Sequence, residues 1–425
     1  MTTVPEPTAR RRLPVYALVA AYFVSVAGTA MSALAIPWLV LTTTGSATQT
    51  GLVVFAEMTP YVVMQAMSGP WVDRWGAHRA CARGNGVAAV AIGAIPVLQA
   101  VDLLSVGALL ALVAVAGAVR GMSDCANTAL VPGAAAVAAM PLERAAGLNS
   151  GANQAGFLLG APLAGLLLAL VDASTVVLID AVSFALAAVL IGALVPASVQ
   201  PSRATDESSR PRYFAQLAEG FGHLRRDRLL LTLATMIAVT NLLDQALVSV
   251  LLPVWVQEQL GEPVALGLII GAGGVGALLG NLIGAWLGPR LPRRAAYAVG
   301  FLIGGAPIFI VLAVSSSLWP PLTMSFVGGL SNGAINPILA AVCFERIPPA
   351  LLARVMGVVK ASAWVGIPFG PLLGGLLIEG VGLRPALLIA AAVFFVATLP
   401  PFVLGVFRQM NRSGDQPGIV VASER

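Results

Sequence analysis

The chain has 425 residues, of which 58% are hydrophobic and 10% are charged. A soluble domain carries about 25% charged residues, so the composition excludes an ordinary soluble protein. The net charge of +5 lies in short loops between apolar runs and not on one face of a domain, which argues against nucleic-acid binding.

Twelve apolar runs are long enough to cross a bilayer, which takes roughly 20 residues per helix. The chain is therefore predicted to be all-α, a polytopic membrane protein with twelve transmembrane helices in two pseudo-symmetric six-helix bundles. The first run is too long for a cleaved signal sequence. The runs cover residues 15–41, 50–69, 80–99, 104–129, 145–170, 174–196, 229–256, 264–288, 295–315, 320–343, 352–378 and 385–407.

The loops between these runs predict the orientation. Loops on one side carry nearly all of the arginines, and the other side has only Arg384. Lys and Arg in short loops mark the cytoplasmic side. We therefore expect both termini in the cytoplasm, and the chain in the cytoplasmic (inner) membrane of a bacterium.

One long connector divides the chain. It opens polar and then places Phe214, Leu217, Phe221 and Leu224 at helical spacing before several arginines. This pattern predicts a helix on the inner leaflet, and the alternative is an ordinary cytosolic linker. The predicted domains are an N-terminal bundle (1–197), the connector (198–228), a C-terminal bundle (229–407) and a tail (408–425).

An internal repeat relates the two bundles. Gly147, Gly156, Gly160 and Gly165 recur 210 residues later as Gly357, Gly366, Gly370 and Gly375, and Arg144 recurs as Arg354. A half-length repeat of spanning helices is a transporter plan, with the binding site at the midplane between the halves.

The loop after the second run reads Gly69-Pro-Trp-Val-Asp-Arg-Trp-Gly-Ala-His-Arg79. It resembles the signature loop of the major facilitator superfamily. The resemblance implies that Gly69, Asp73, Arg74, Gly76 and Arg79 form a cytoplasmic gate, with Asp73 pairing with arginines. The corresponding loop of the second half has no aspartate, so the gate is expected to be one-sided. The alternative is a tight turn with orienting charges.

The fifth and eleventh runs carry glycine–proline segments that resemble the antiporter motif of the same superfamily. Small residues four apart let helices approach closely, and proline bends a spanning helix. We expect a helix hinge in both, although plain small-residue packing is the alternative. The hinge candidates are Gly156, Gly160, Pro162, Gly165, Gly366, Gly370, Pro371 and Gly374.

Further stretches, among them Ala35-Ile-Pro-Trp-Leu-Val-Leu41 and Ala129-Leu-Val-Pro132, are similar to one branch of the superfamily. This branch comprises drug:proton antiporters, including macrolide-efflux proteins and the enterobactin exporter. The resemblance implies export of a small molecule.

Ionisable residues within the runs are the candidates for proton coupling, because intramembrane charges usually mark pathways or relays. Glu57 and Asp244 lie near the centres of their runs without a sequence-local cation, and Asp180 lies nearer an outer end. Arg120 and Asp124 are four residues apart, so they are expected to share a helix face and pair. The resemblance aligns Arg120 with an arginine linked to proton coupling. Satisfied polar packing is the alternative for each acid.

We therefore expect proton-coupled export of a hydrophobic or amphiphilic small molecule. The chain would be a monomer that contacts its substrate and the lipid bilayer, and would not be an enzyme. The proton gradient would be its energy source, with no cofactor or metal. Uptake of a nutrient, siderophore export and a non-transporting sensor or scaffold are the alternatives. The resemblance implies a cavity lined by Tyr22, Met31, Asn241, Gln245, Phe326 and Asn332, for which lipid-facing or packing roles are the alternative.

Overall fold

The computed structural model describes residues 9–196, 221–222, 224–287, 292–333, 335–347 and 352–410. Every regular element in these ranges is helical. Most of the predicted connector, residues 198–228, lies outside the described residues, so its membrane-surface helix stays a prediction.

The helices of the first half follow the predicted runs, with one short extra helix after the second run. Ser46 and Ser105 cap the second and fifth helices by accepting hydrogen bonds from the backbone N–H groups of Gln49 and Ala108. The helices are α1 (Ala9–Thr44), α2 (Ala47–Met67), α3 (Gly69–Trp75), α4 (Ala77–Ala100), α5 (Val106–Val137), α6 (Leu142–Leu170) and α7 (Ala173–Leu194).

The helices of the second half are more often interrupted. The first continues through a π-helical turn at Leu247–Leu251, and others break at glycine or proline. They are α8 (Arg228–Ala246), α9 (Leu252–Gln259), α10 (Pro263–Leu287), α11 (Arg293–Gly304), α12 (Ala306–Val314), α13 (Trp319–Gly333), α14 (Ile335–Arg346), α15 (Leu352–Val365), α16 (Phe369–Val381), α17 (Leu383–Thr398) and α18 (Pro400–Val403).

Ten helical segments of the described chain are long and apolar enough to cross a membrane. The other two predicted runs also form helices, α2 and the α13–α14 pair. Large apolar side chains such as Val90 and Leu170 are more than 70% exposed, as expected for a surface that contacts lipid. The prediction of an all-α polytopic membrane protein is confirmed.

The glycine repeat is also a repeat of helix contacts. A Cβ atom at Gly156 would meet Val26 of α1, and one at Gly366 would meet Ala238 of α8. Farther along, Gly165 lies against Gly267 of α10, and Gly375 lies against Ala47 of α2. Since α1 and α8 open the two halves, corresponding glycines contact corresponding helices.

The described residues fall into two compact units, and unit 1 includes two segments of the second half. Unit 1 comprises those of 1–205 with 248–271 and 368–380, and unit 2 comprises those of 206–247, 272–367 and 381–425. Three of the divisions lie inside runs that were predicted as continuous: in the π turn, after Gly271 in α10, and at Pro368 between α15 and α16. The predicted domain boundary at the connector separates the two sequence repeats, whereas the boundaries of the compact units are set by which helix segments pack together.

Candidate functional site

Two glycines on α5 bring its backbone against α2. A Cβ atom at Gly117 would lie 2.0 Å from the carbonyl oxygen of Glu57, and one at Gly121 would lie 2.3 Å from that of Tyr61. No residue with a side chain fits at these positions without moving α2. The glycines therefore bring the two helices into backbone contact beside the ionisable residues of α5.

Arg120 and Glu57 form a buried ion pair between α5 and α2. Arg120 Nη1 donates to Glu57 Oε1 at 2.5 Å, and the two side chains are 13% and 9% exposed. The guanidinium also lies 5.3 Å from the ring centroid of Tyr61 and 6.0 Å from that of Phe184, within cation–π range. Glu57 therefore has a cation, which its sequence neighbours did not indicate.

Asp124, one turn farther along α5, accepts a hydrogen bond from the hydroxyl of Tyr61 at 2.9 Å. Gln65 donates to the same hydroxyl at 3.3 Å. The predicted pair of Arg120 with Asp124 is an electrostatic interaction and not one of the ion pairs within 4.0 Å among the described residues. The ion pair of Arg120 is with Glu57 of α2, and Tyr61 donates to Asp124. The two residues do share a helix face, as their spacing predicted.

Asp180 on α7 completes the cluster and is 1% exposed. The Ser183 hydroxyl lies 3.2 Å from Asp180 Oδ1 and 2.7 Å from its carbonyl oxygen. Gly28 of α1 packs over this carboxylate, since a Cβ atom there would lie 2.4 Å from Oδ1. The charge of Arg120 also acts on Asp180. Unit 1 thus holds three acids and one arginine in its membrane-spanning interior.

Asp244 is the predicted proton carrier of unit 2. It lies in the last turn of α8, directly before the π-helical turn. Within the described part of the chain, no hydrogen bond or ion pair reaches its carboxylate. π-Helical turns inside α-helices are frequent at functional sites, so this position combines an intramembrane acid with an irregular backbone.

The predicted gate loop forms α3 and the start of α4. Gly76 joins them with a φ of 84°, a left-handed conformation that glycine adopts without strain. Asp73, Arg74 and Arg79 are exposed. Among the described residues, no ion pair within 4.0 Å includes Asp73. The pairing of Asp73 with arginines therefore stays a prediction.

In unit 2, Arg293 and Arg346 form ion pairs with acids that lie outside the loop corresponding to the gate loop. Arg293 donates two hydrogen bonds to Glu345, at 2.5 and 2.7 Å. Arg346 donates two to Asp227 Oδ2, at 2.9 and 3.0 Å, while Asp227 Oδ1 caps α8. The second loop lacks an aspartate, but acids at the ends of α14 and α8 provide the ion pairs.

The two predicted hinge segments differ in structure. The α6 helix is continuous through Gly156, Gly160, Pro162 and Gly165. In contrast, the helical pattern is interrupted between α15 and α16, at 366–368. The candidates of the second segment are Gly366 at this interruption and Gly370, Pro371 and Gly374 within α16.

Tyr22 and Met31, two of the predicted cavity residues, lie in unit 1. Asn153 of α6 donates to the Tyr22 hydroxyl at 2.9 Å, and Met31 is buried. A groove of about 770 Å³ opens between α1 and α6, and neither residue lines it. Its walls are Tyr16, Val19, Ala20, Phe23, Arg144, Gly147, Leu148, Gly151, Ala152 and Ala155.

The other four predicted cavity residues lie in unit 2, where at least three contact neighbouring helices. Asn241 donates to the carbonyl of Ala363 at 2.9 Å. Asn332 donates at 3.2 Å to the carbonyl of Gly304, at the break between α11 and α12. The Phe326 backbone packs on Gly276, and Gln245 is half-buried. These contacts give the two asparagines and Phe326 a part in helix packing.

The sequence interpretation missed Tyr61 and Gln65. Both lie on the face of α2 that carries Glu57, at spacings of four and eight residues. This regular spacing of polar residues was the available signal.

The chain matches relatives over nearly its whole length. The family model described as Major Facilitator Superfamily matches residues 18–261 and 235–419. A Mycobacterium tuberculosis protein named multidrug efflux pump Tap is 30% identical over 411 residues, covering 94% of this chain and 95% of the relative. Its Mycolicibacterium fortuitum namesake is 29% identical over 407 residues, covering 94% and 96%.

Solved transporter structures share the fold. The nucleoside transporter NupG matches with a TM-score of 0.73 at 13% identity, covering 92% of this chain and 98% of NupG. An inward-facing bacterial homologue of the human lysosomal transporter Spinster matches with a TM-score of 0.69 at 16% identity, covering 96% and 99%. With the family model matching both halves, the chain belongs to the Major Facilitator Superfamily.

Proposed function

We propose that this transporter exports hydrophobic or amphiphilic small molecules from the cytoplasm in exchange for protons. The observation that carries the proposal is the buried cluster of Glu57, Asp124, Asp180 and Arg120 in unit 1. The relatives named as multidrug efflux pumps support the direction and the class of cargo.

Charge balance connects the cluster with protons. With every group ionised, three carboxylates and one guanidinium carry a net charge of −2 in a membrane interior, where uncompensated charge is costly. Two bound protons would neutralise the cluster. Because these groups lie on α2, α5 and α7, proton binding and release would alter the contacts among three helices.

The two units would supply different parts of the mechanism. The unit 1 cluster has an internal cation that holds one carboxylate by an ion pair, whereas Asp244 of unit 2 has no such partner in the described chain. We assign proton exchange to Asp124, Asp180 and Asp244, and a positioning role to the Glu57–Arg120 pair. Both termini are placed in the cytoplasm on the basis of the arginine-rich loops.

The test uses inverted membrane vesicles that are acidified inside and monitored with a pH-sensitive dye. Adding a cargo such as a macrolide or a lipophilic dye should raise the internal pH in vesicles that contain the transporter. Asp180→Asn should weaken this response at least tenfold, because the amide retains a hydrogen-bond partner in Ser183 but carries no titratable proton.

Asp102→Asn is the matched control. Asp102 lies in a loop with a φ of 54°, a conformation that asparagine adopts readily, so transport should be unchanged. A cargo that accumulates in the vesicles without any change in the pH gradient would refute proton exchange. Cargo that leaves these vesicles as the internal pH rises would indicate uptake and not export in the cell.

A further inference from the structure

Three arginines converge on a pocket at the loop end of unit 1. The pocket has a volume of about 260 Å³ and is lined by residues of α3, α4 and α5. These residues are Arg74, Trp75, Arg79, Ala80, Arg83 and Met122.

Local backbone geometry brings these arginines together. Arg79 and Arg83 are four residues apart on α4, so they share one helix face. Arg74 lies in the last turn of α3. Gly76, with a φ of 84°, joins the two helices, so the last turn of α3 directly precedes the first turn of α4.

The arginines of the pocket form no ion pair in the part of the chain that the structure describes. Within the described chain, no acidic side chain lies within 4.0 Å of Arg74, Arg79 or Arg83. Like charges four residues apart on a helix repel each other. Guanidinium groups match phosphate oxygens in planar, bidentate geometry, so a phosphate would supply the missing negative charge.

The depth of the pocket indicates the source of that phosphate. The pocket lies where α4 begins its candidate membrane span at Ala77. Trp71 and Trp75 are 51% and 53% exposed, with ring centroids 6.0 Å apart. Exposed tryptophans at the end of a spanning helix mark the membrane–water interface, where the phosphates belong to lipid headgroups.

We propose that this pocket binds the phosphate of an anionic phospholipid headgroup, with Arg79 and Arg83 as the principal contacts and Arg74 at the rim. Basic pockets between spanning helices on the cytoplasmic side suit such headgroups. The site lies outside the buried cluster and shares Arg74 and Arg79 with the predicted cytoplasmic gate, so its test measures lipid binding and not transport.

The test is native mass spectrometry of the full chain in a neutral detergent with added phosphatidylglycerol or phosphatidylcholine. We expect one saturable phosphatidylglycerol that the zwitterionic lipid does not displace. The double variant R79Q/R83Q should bind it at least tenfold more weakly. The control R226Q/R228Q removes two exposed arginines elsewhere and should change binding less than threefold.

Unchanged binding by R79Q/R83Q, or equal losses in both double variants, would overturn the proposal. A separate arm adds inorganic phosphate alone. If inorganic phosphate binds the pocket more tightly than phosphatidylglycerol does, the pocket is a free-phosphate site and the lipid assignment is wrong. If R79Q/R83Q does not fold, R83Q alone provides the comparison, with an expected weakening of about fivefold.

Discussion

Replacing Arg120 by leucine tests how much the Arg120–Glu57 ion pair stabilises the fold. The variant leaves the Glu57 carboxylate buried without its cation, and losing one partner of a buried ion pair costs about 3–5 kcal/mol. Glu57 limits this cost by taking up a proton. Protonating a carboxyl with the ordinary glutamate pKa of about 4.3 costs about 3.7 kcal/mol at pH 7, at 1.36 kcal/mol per pH unit.

Because protonation of Glu57 limits the loss of stability in Arg120→Leu, that loss should depend on pH. Protonated Glu57 is neutral, so the loss of stability in Arg120→Leu should fall by about 1.4 kcal/mol for each unit that the pH decreases. At pH 5.5 about 1.6 kcal/mol of the loss should remain. The double variant E57Q/R120L has neither charge and should recover most of the stability at pH 7.

Thermal unfolding in detergent with a thiol-reactive dye measures the effect, because Cys81 and Cys343 are buried free thiols. At pH 7, Arg120→Leu should melt about 4 °C below the parent protein, because the unfolding entropy of a chain this long is about 0.9 kcal/mol/K. Arg228→Leu, at an exposed arginine, should melt within 2 °C of it. Equal melting of Arg120→Leu and the parent at both pH values would refute the assignment of Arg120 as the cation that stabilises Glu57.

Two further substitutions test the helix contacts by the same melting assay. Gly117→Ala puts a methyl group 2.0 Å from the Glu57 carbonyl oxygen and should reduce the free energy of unfolding by about 1–3 kcal/mol. The control Gly86→Ala, with nothing within 4 Å of the added methyl group, should be neutral or stabilising. Equal melting temperatures of the two variants would contradict the close approach of α2 and α5. Asn332→Ala removes the donor to the Gly304 carbonyl at the α11–α12 break and should reduce the free energy of unfolding by about 1–3 kcal/mol. An unchanged melting temperature would show that this hydrogen bond contributes nothing to stability.

The fold was predictable because the bilayer imposes simple requirements on composition and length. Apolar runs of membrane-spanning length predicted the helices, and the spacing of Gly165 and Gly375 predicted a repeat that the helix contacts reproduce. The interruptions within the second half were less predictable. The π turn after Asp244 has no glycine or proline signal of its own in Leu247–Leu251.

The members of the charged cluster were identifiable from sequence, whereas their pairing was not. Helical spacing relates Arg120 to Asp124 but contains no information about the neighbouring helix. The deciding factor is the approach of α2 to Gly117 and Gly121, which brings Glu57 to the guanidinium. In unit 2, Asn241 and Asn332 looked like cavity residues because they are polar and lie within spans, yet their amides donate to backbone carbonyls.

The divisions inside the helices of the second half have a consequence for movement within lipid. Bending a regular spanning helix breaks backbone hydrogen bonds, and the hydrocarbon offers no water to replace them. At the π turn Leu247–Leu251 and at Gly366–Pro368 the regular hydrogen-bond pattern is already interrupted. The second half can therefore flex at these positions without presenting many newly unpaired amides to the membrane, and its connecting loops can stay short.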